Sequence, residues 1–304
     1  MLRFILRRLF ASAIMLLALI TISFFVIKLI PGNPFASERM QPGAKKAIYA
    51  YYGLDKPVYE QYYLYLKNLL RGDLGVSYKI RSVTVNEVIA KSFPYSLDLG
   101  LRAIVAAVAA GLGLGIVSAY RRGRALDTFT MILATVGTAV PSFLVGFFIQ
   151  YLFAVKLRWL PVAQYTSFAH TILPSFALSL GMLATIAKYA RASMIEVIYA
   201  DYVKTADAKG LSKMRIVLHH QLRNALLPIV TLLGPMVAMV LTGTFVVENV
   251  FAIPGLGRYY VTSITNLDYT MIMGLTIFFA GFLVVMNLLV DVVYVLVDPR
   301  IKLS

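Results

Sequence analysis

The chain of 304 residues contains no cysteine. Disulfides, thiolate metal centres and cysteine nucleophiles are thereby excluded. Histidine is nearly as scarce, with three in all. His219 and His220 are adjacent, so they leave a helix on different faces and cannot chelate as an i, i+4 pair would. His170 stands alone, so neither a metal nor a cofactor is expected. No GxxxxGK[ST] string occurs. The nearest, AKGLSK, lacks the first glycine and a preceding strand, so ATP binding through a P-loop is not expected. GLGLG at 111–115 sits inside an apolar run with no strand before it, which excludes a dinucleotide site. No solenoid period is visible. Charged residues make up only 14% of the chain. Apart from Asp98 at the outer end of the 97–120 run, the long apolar runs hold one acid, Asp291, too few for paired-acid catalysis inside a membrane. No catalytic role is expected.

What the chain has instead is apolar length. Hydrophobic residues reach 60%, and mean hydropathy is +0.77. Runs at 9–30, 97–120, 128–155, 172–187, 226–247 and 271–296 predict six membrane spans. Residues 1–8 read as a short basic helix lying in the headgroup region. Basic residues ahead of the 9–30 run also suit a signal peptide. That run is longer than a typical signal core and closes on no small-x-small site, so a retained span is expected. Pro141 predicts a kink within the third span, and Pro174 interrupts the outer end of the fourth. In the second span Ala103, Ala107, Gly111, Gly115 and Ala119 recur every four residues, a stripe that lets another helix approach closely. Asp98 and Arg102 are spaced to pair. Asp291 reads as a hydrogen-bonding or ion-pairing group between helices.

The formal charge of +15 comes from 29 basic and 14 acidic residues. Basic residues cluster beside the spans, as anionic lipid and topology require, so membrane lipid and not nucleic acid is the expected partner. Short loops on one side carry fifteen Lys and Arg, against three on the other, which predicts that both termini are cytoplasmic.

Two polar stretches stand out. From 31 to about 94 the segment is too long for an ordinary connection. Within it Tyr59, Tyr62, Tyr63, Leu66, Leu69 and Leu70 predict an amphipathic helix. The stretch is either a contact for an outside protein or a packed cap on the spans. The second runs 199–228, YADYVKTADAKGLSKMRIVLHHQLRNALLP. Its first part favours helix, Gly210 suits the left-handed position that ends one, and Ser212 suits capping the next. Two short helices bent at a glycine suit docking into a groove on another protein. A basic loop that merely fixes topology fits the same composition. Between Glu248 at the outer end of the fifth span and Asp268, PGLG predicts a re-entrant or surface loop.

TADAKGL followed by HHQLRNALLP resembles the cytoplasmic loop of binding-protein-dependent ABC transporter permeases, specifically the B-type subunit of dipeptide and oligopeptide systems. PGNP, YGLDKPVYEQY, LLRGDLGVSY, PSFLVGFFIQYLFAVKLRWLPV, ENVFAIPGLGRYYVTSI and the closing NLLVDVVY with DPR resemble it too. The superfamily's Glu-Ala-Ala, three residues, Gly pattern reads here as Lys204, Thr205, Ala206 and Gly210. The missing glutamate, and Arg223 near the place of an expected proline, are departures that the peptide-type branch shares. The resemblance implies an all-α integral membrane protein with six transmembrane helices, a type I ABC importer permease fold and an extracellular insertion after the first helix. Residues 1–92 would hold the interfacial helix, first span and insertion. Residues 93–304 would hold a five-helix core whose loop at about 188–225 couples to an ATPase through Lys204, Thr205, Ala206, Gly210, Arg215, Arg223 and Asn224. Implied partners are a C-type permease subunit in a heterodimer, two ATPase subunits and an extracytoplasmic substrate-binding protein. Peptides are the implied cargo, with nickel and oligosaccharides as alternatives. An ion-coupled secondary transporter is the competing class, but it would gather ionisable residues at midplane and have no use for a basic projection.

Overall fold

The computed structural model describes residues 2–30, 48–80, 82–242 and 245–297, apart from the side chains of 2–6, 227, 231, 238, 239, 241, 242 and 290–297. The PGNP and DPR blocks lie outside the described residues, as does the Asp291 side chain. Among the described residues the architecture is helical, with one isolated antiparallel bridge between Val76 and Thr84. Four helices are long and apolar enough to cross a membrane, and up to six spans result if each of two bent pairs counts as one. The chain falls into two compact units, 1–94 with 258–281, and 95–257 with 282–304.

In the first unit, α1 (Leu2–Leu29) is one uninterrupted helix, not an interfacial piece followed by a span. Nothing between Arg8 and Leu9 breaks the helix, so apolar and basic turns simply continue. Phe24 and Ile27 are buried with Met273, and Tyr62 and Tyr65 pack against them. Those tyrosines belong to α2 (Val58–Leu69), the predicted amphipathic helix. Its inward face differs from the expected one, because Tyr59, Tyr63 and Leu70 are exposed. Spacing alone favoured them, but Tyr62 is held inward by its hydroxyl contact with Thr21 at 2.6 Å. Asp268 closes this unit. Its carboxylate accepts from the Met271 amide at 3.2 Å and the Tyr78 amide at 3.0 Å, and bonds the Ser77 hydroxyl. One side chain thus caps α12 (Tyr269–Val297) and pins the 75–84 turn.

In the second unit, α6 (Ala169–Ile198) is the central element, unbroken by Pro174 near its start. Its neighbour α3 (Val85–Tyr120) starts well before the expected span and keeps Pro94 inside. The predicted stripe lies against α6. Ala103 and Ala107 are fully buried. A Cβ on Gly111 would stand 2.9 Å from the Ile186 Cβ, and one on Gly115 only 2.6 Å from the Ala187 carbonyl oxygen. From the other side α4 (Ala125–Ala139) brings Gly137 to within 3.0 Å, by the same construction, of the Ala184 Cβ.

The third span is not merely kinked. Between α4 and α5 (Ser142–Ile149, continuing as a π-helix over Gln150–Lys156) the chain turns by 107°. Pro141 lacks an amide proton and drives Val140 into extended backbone, φ −89 and ψ 125, so the helix stops and restarts.

Backbone contact at Gly115 cannot be relieved by a rotamer change, whereas nothing lies within 4 Å of a Cβ on Gly113. Gly115→Ala is therefore expected to lower the thermal midpoint and yield of the purified protein, and Gly113→Ala to leave both unchanged or slightly raised. Equal behaviour of the two in a detergent melting assay would contradict the packing described.

Candidate functional site

The projecting segment is built as its sequence predicts in outline. α7 (Asp201–Ala208) begins after Ala200 in extended backbone and ends at Gly210, whose φ of +74 is the left-handed conformation expected there. The Gly210 amide donates to the Asp207 carbonyl at 2.9 Å, and the Leu211 amide to Ala206 at 3.3 Å, closing the helix end. α8 (Lys213–Ala225) follows, with a π-helical stretch over Ile216–Gln221. Ser212 stands at its start but makes no side-chain cap; extended backbone alone turns the chain there.

Val203, Ala206 and Ile216 form a small core between α7 and α8, covered by Val197, Ala200 and Leu211. The singled-out residues divide accordingly. Lys204, Thr205, Gly210, Arg215, Arg223 and Asn224 are exposed, and Ala206 is buried. Lys204 pairs with Asp201 at 2.9 Å, a contact that holds the Asp201 carboxyl below its ordinary range. Thr205 bonds back to the Asp201 carbonyl. The Asn224 amide donates to the His220 carbonyl at 2.8 Å and to the Tyr202 hydroxyl at 3.2 Å, joining the two short helices.

Below this projection lies a polar anchor that the sequence reading missed. Arg191 of α6 grips Asp127 of α4 with two bonds, Nε to Oδ1 at 2.6 Å and Nη2 to Oδ2 at 2.8 Å. Ser118 Oγ donates to Oδ1 at 2.5 Å, and the Gly123 amide to Oδ2 at 2.9 Å. Asp127 is buried, with 5% of its side chain exposed. One carboxylate therefore ties the end of α3, the 121–124 turn and α6 together. A second tie joins Tyr120 to Gln221 of α8. Ala119, Met194 and Ala225 pack at the same level. The only hint in sequence was an acid three residues after RRGR, a spacing that by itself names no partner.

Other expectations meet the structure as follows. Asp98 and Arg102 pair at 2.9 Å, and Tyr165 adds a bond to the same carboxylate. That contact and, above all, burial push the Tyr165 hydroxyl up. Glu248 does not close the fifth span at a surface. It is fully buried and accepts from the Gly257 amide at 2.7 Å, while Ser96 takes the Leu256 amide at 2.9 Å. PGLG follows α9 (Leu227–Thr242) and α10 (Phe245–Val250) and leads directly into α11 (Leu256–Asn266). A Cβ on Gly255 would stand 2.4 Å from Glu248 Oε2, so glycine there makes room for a carboxylate at a helix N-terminus. Among the described residues no group of three or more His, Asp or Glu side chains is placed to hold a metal.

Chains of the MetNI methionine ABC transporter in inward-facing conformations share this fold. One superposes with a TM-score of 0.57 at 15% identity, over 69% of this chain and 96% of its own. A chain of an amino acid ABC transporter gives 0.51 at 16% identity, over 71% and 95%. The fold is that of ABC importer permeases. Residues 111–303 match the family described as binding-protein-dependent transport system inner membrane component, and residues 1–100 match the N-terminal family of such components. The dipeptide transport system permease protein DppB of Bacillus subtilis is 46% identical over the whole of this chain and 99% of its own length. The oligopeptide transport system permease protein OppB of Haemophilus influenzae is 41% identical over 99% and 100%. The chain belongs to the binding-protein-dependent permease family, in its DppB/OppB branch. It is a multi-pass membrane component of an ABC importer, a kind of protein that works with ATPase and binding-protein partners.

Arg191→Met would leave Asp127 ionised, buried and without its cation, a loss of about 3–5 kcal/mol. Asp127→Asn with Arg191→Met should be milder than Arg191→Met alone, because the stranded charge is gone. Thermal unfolding of the single and double variants measures this. Additive losses would mean that the two side chains do not act as a pair.

Proposed function

We propose that this chain is the B-type half of the translocation pathway of a di- and oligopeptide importer. Full-length identity of 46% to a dipeptide permease carries the reading. It would pair with a C-type permease subunit over two ATPases and receive cargo from an extracytoplasmic binding protein. Both termini would face the cytoplasm. The excess of Lys and Arg on the termini and the α7–α8 side supports that orientation, and leaving Lys188 and Arg191 out of the count does not change its sign.

In this reading α7 and α8 dock on an ATPase through Lys204, Thr205, Gly210, Arg215, Arg223 and Asn224, with Ala206 holding the two helices together. Closure of the ATPases moves α7. Because α6 runs unbroken to Ile198, one residue from the Ala200 cap, the movement reaches the spans without a flexible link. The small core and the anchors at Asp127 and Gln221 make the projection a stiff lever.

Gly210 is the point to test. Nothing lies within 4 Å of a Cβ there, so a side chain meets only the strain of a positive φ, about 1–3 kcal/mol for a β-branched residue. Gly210→Val is expected to insert and purify normally yet lose ATPase co-purification or uncouple ATP hydrolysis from peptide uptake. Arg215→Ala should be milder. Wild-type recovery, turnover and uptake for Gly210→Val would overturn the coupling assignment.

The topology is tested separately on the cysteine-free chain. Ser82→Cys and Thr166→Cys should react with an impermeant thiol reagent added to intact cells, and Ser212→Cys should not. Labelling of Ser212→Cys from outside would reverse the orientation.

A further inference from the structure

Lys188 is the one described lysine within the long membrane-spanning helix α6, ten residues before its Ile198 end and about 15 Å from it along the axis. A lysine near the end of a span normally runs its ammonium toward the nearer surface. Here the side chain goes the other way. Gly137 meets α6 at Leu180 and Ala184, a turn nearer the start of the helix than Lys188. The Lys188 ammonium reaches back to that level and donates to the hydroxyl of the next residue, Thr138, at 2.9 Å. Thr138 stands at the end of α4, beside the 107° break.

No carboxylate among the described residues neutralises Lys188. Asp127 borders the open groove along this face of α4, together with Thr128, Met131, Ile132, Thr135 and Val136, but its oxygens are taken by Arg191, Ser118 and Gly123. The exposed surface of α4 is moreover divided. Phe129 and Leu133, which do not line the groove, lie on an apolar arc suited to lipid, whereas Thr128, Thr135 and Thr138 are exposed on another arc, with Ile132 and Val136 between the two. An unpaired ammonium held at a row of hydroxyls, away from the apolar arc, is tolerable only where water reaches it.

We propose that Lys188, with Thr135 and Thr138, lines the water-filled path through the permease and offers a transient cationic contact to the carboxylate of a passing substrate. The path follows from the permease assignment, and the carboxylate rests on the peptide reading. A single half-buried cation beside exposed hydroxyls attracts an anion without holding it tightly, as a pathway residue must.

The test uses the whole importer complex in membranes, with single cysteines at Thr138, Thr135 and Leu133. Reaction rates are measured with an anionic sulfonatoethyl methanethiosulfonate and a cationic trimethylammonioethyl one, with and without ATP. Thr138→Cys and Thr135→Cys should react faster than Leu133→Cys in at least one nucleotide state. At Thr138→Cys the anionic-to-cationic rate ratio should fall about fivefold or more when Lys188→Gln is added, the size expected of one unit charge a few ångströms away in water. Lys188→Arg should preserve the ratio, which guards against a folding defect in the glutamine variant. Rates at positions 135 and 138 no higher than at 133 in every state, or a ratio indifferent to Lys188→Gln, would overturn the proposal. Neither readout needs a peptide, so failure of the cargo assignment would show in uptake assays and leave these rates unchanged.

Discussion

Helix α6 does two mechanical jobs because α3 meets it backbone to backbone. Where Gly111 and Gly115 face Ile186, Ala187 and Ala190, α3 places no side chain of its own between the two helices. Lipid tails are as apolar as leucine, so burying apolar area between helices gains little in a membrane. Dense van der Waals contact has to supply the attraction. That contact needs small residues on both partners, and α6 presents Ala184, Ala187 and Ala190, each about 1% exposed. Gly137 of α4 meets Ala184 from the other side. A helix held this closely on two sides moves as a body. Displacement at its Ile198 end is then carried along its length and not absorbed in local bending.

Close packing fixes distance but resists sliding poorly, since alanine and glycine offer no ridges. Polar ties supply the register. The Asp127 carboxylate receives four bonds from α3, the 121–124 turn and α6, and it stays ionised at low exposure because every donor is in place. Its value lies less in net stability, which an apolar pair of the same shape could match, than in defining one alignment of three segments. Glu248 does comparable work at α11, and Asp268 at the start of α12. Each of the three is an acid placed where backbone amides have no helical partner.

The helical membrane fold was legible from run lengths, and the small-residue stripe from a four-residue period, because both are properties of local spacing. Gly210 was legible for the same reason: a positive φ between two short helices leaves few other residues possible. Asp127, Glu248 and Tyr120 were not. Asp127 and Tyr120 act through Arg191 and Gln221, 64 and 101 residues away, and Glu248 through an amide nine residues on, beyond a turn; a single sequence carries no record of such pairs. The bend at Pro141 was foreseen in place but not in size. A proline states that one hydrogen bond is lost, whereas 107° depends on what the freed chain then packs against. Tyr59 and Tyr63 misled because tyrosine is amphipathic, so periodicity could not separate the ring that faces Phe24 from the ring that faces outward.

The polar groups of the second unit differ in one respect that bears on transport. Asp127 and Asp98 are each matched to an arginine, and Glu248 to backbone amides, so these charges are satisfied internally. Among the described residues Lys188 is matched only to a hydroxyl that already donates to the Ala134 and Thr135 carbonyls. A charge satisfied inside the protein fixes structure and is silent toward a solute. A charge left half-satisfied, at the junction of a rigid helix and a broken one, keeps its field for whatever passes.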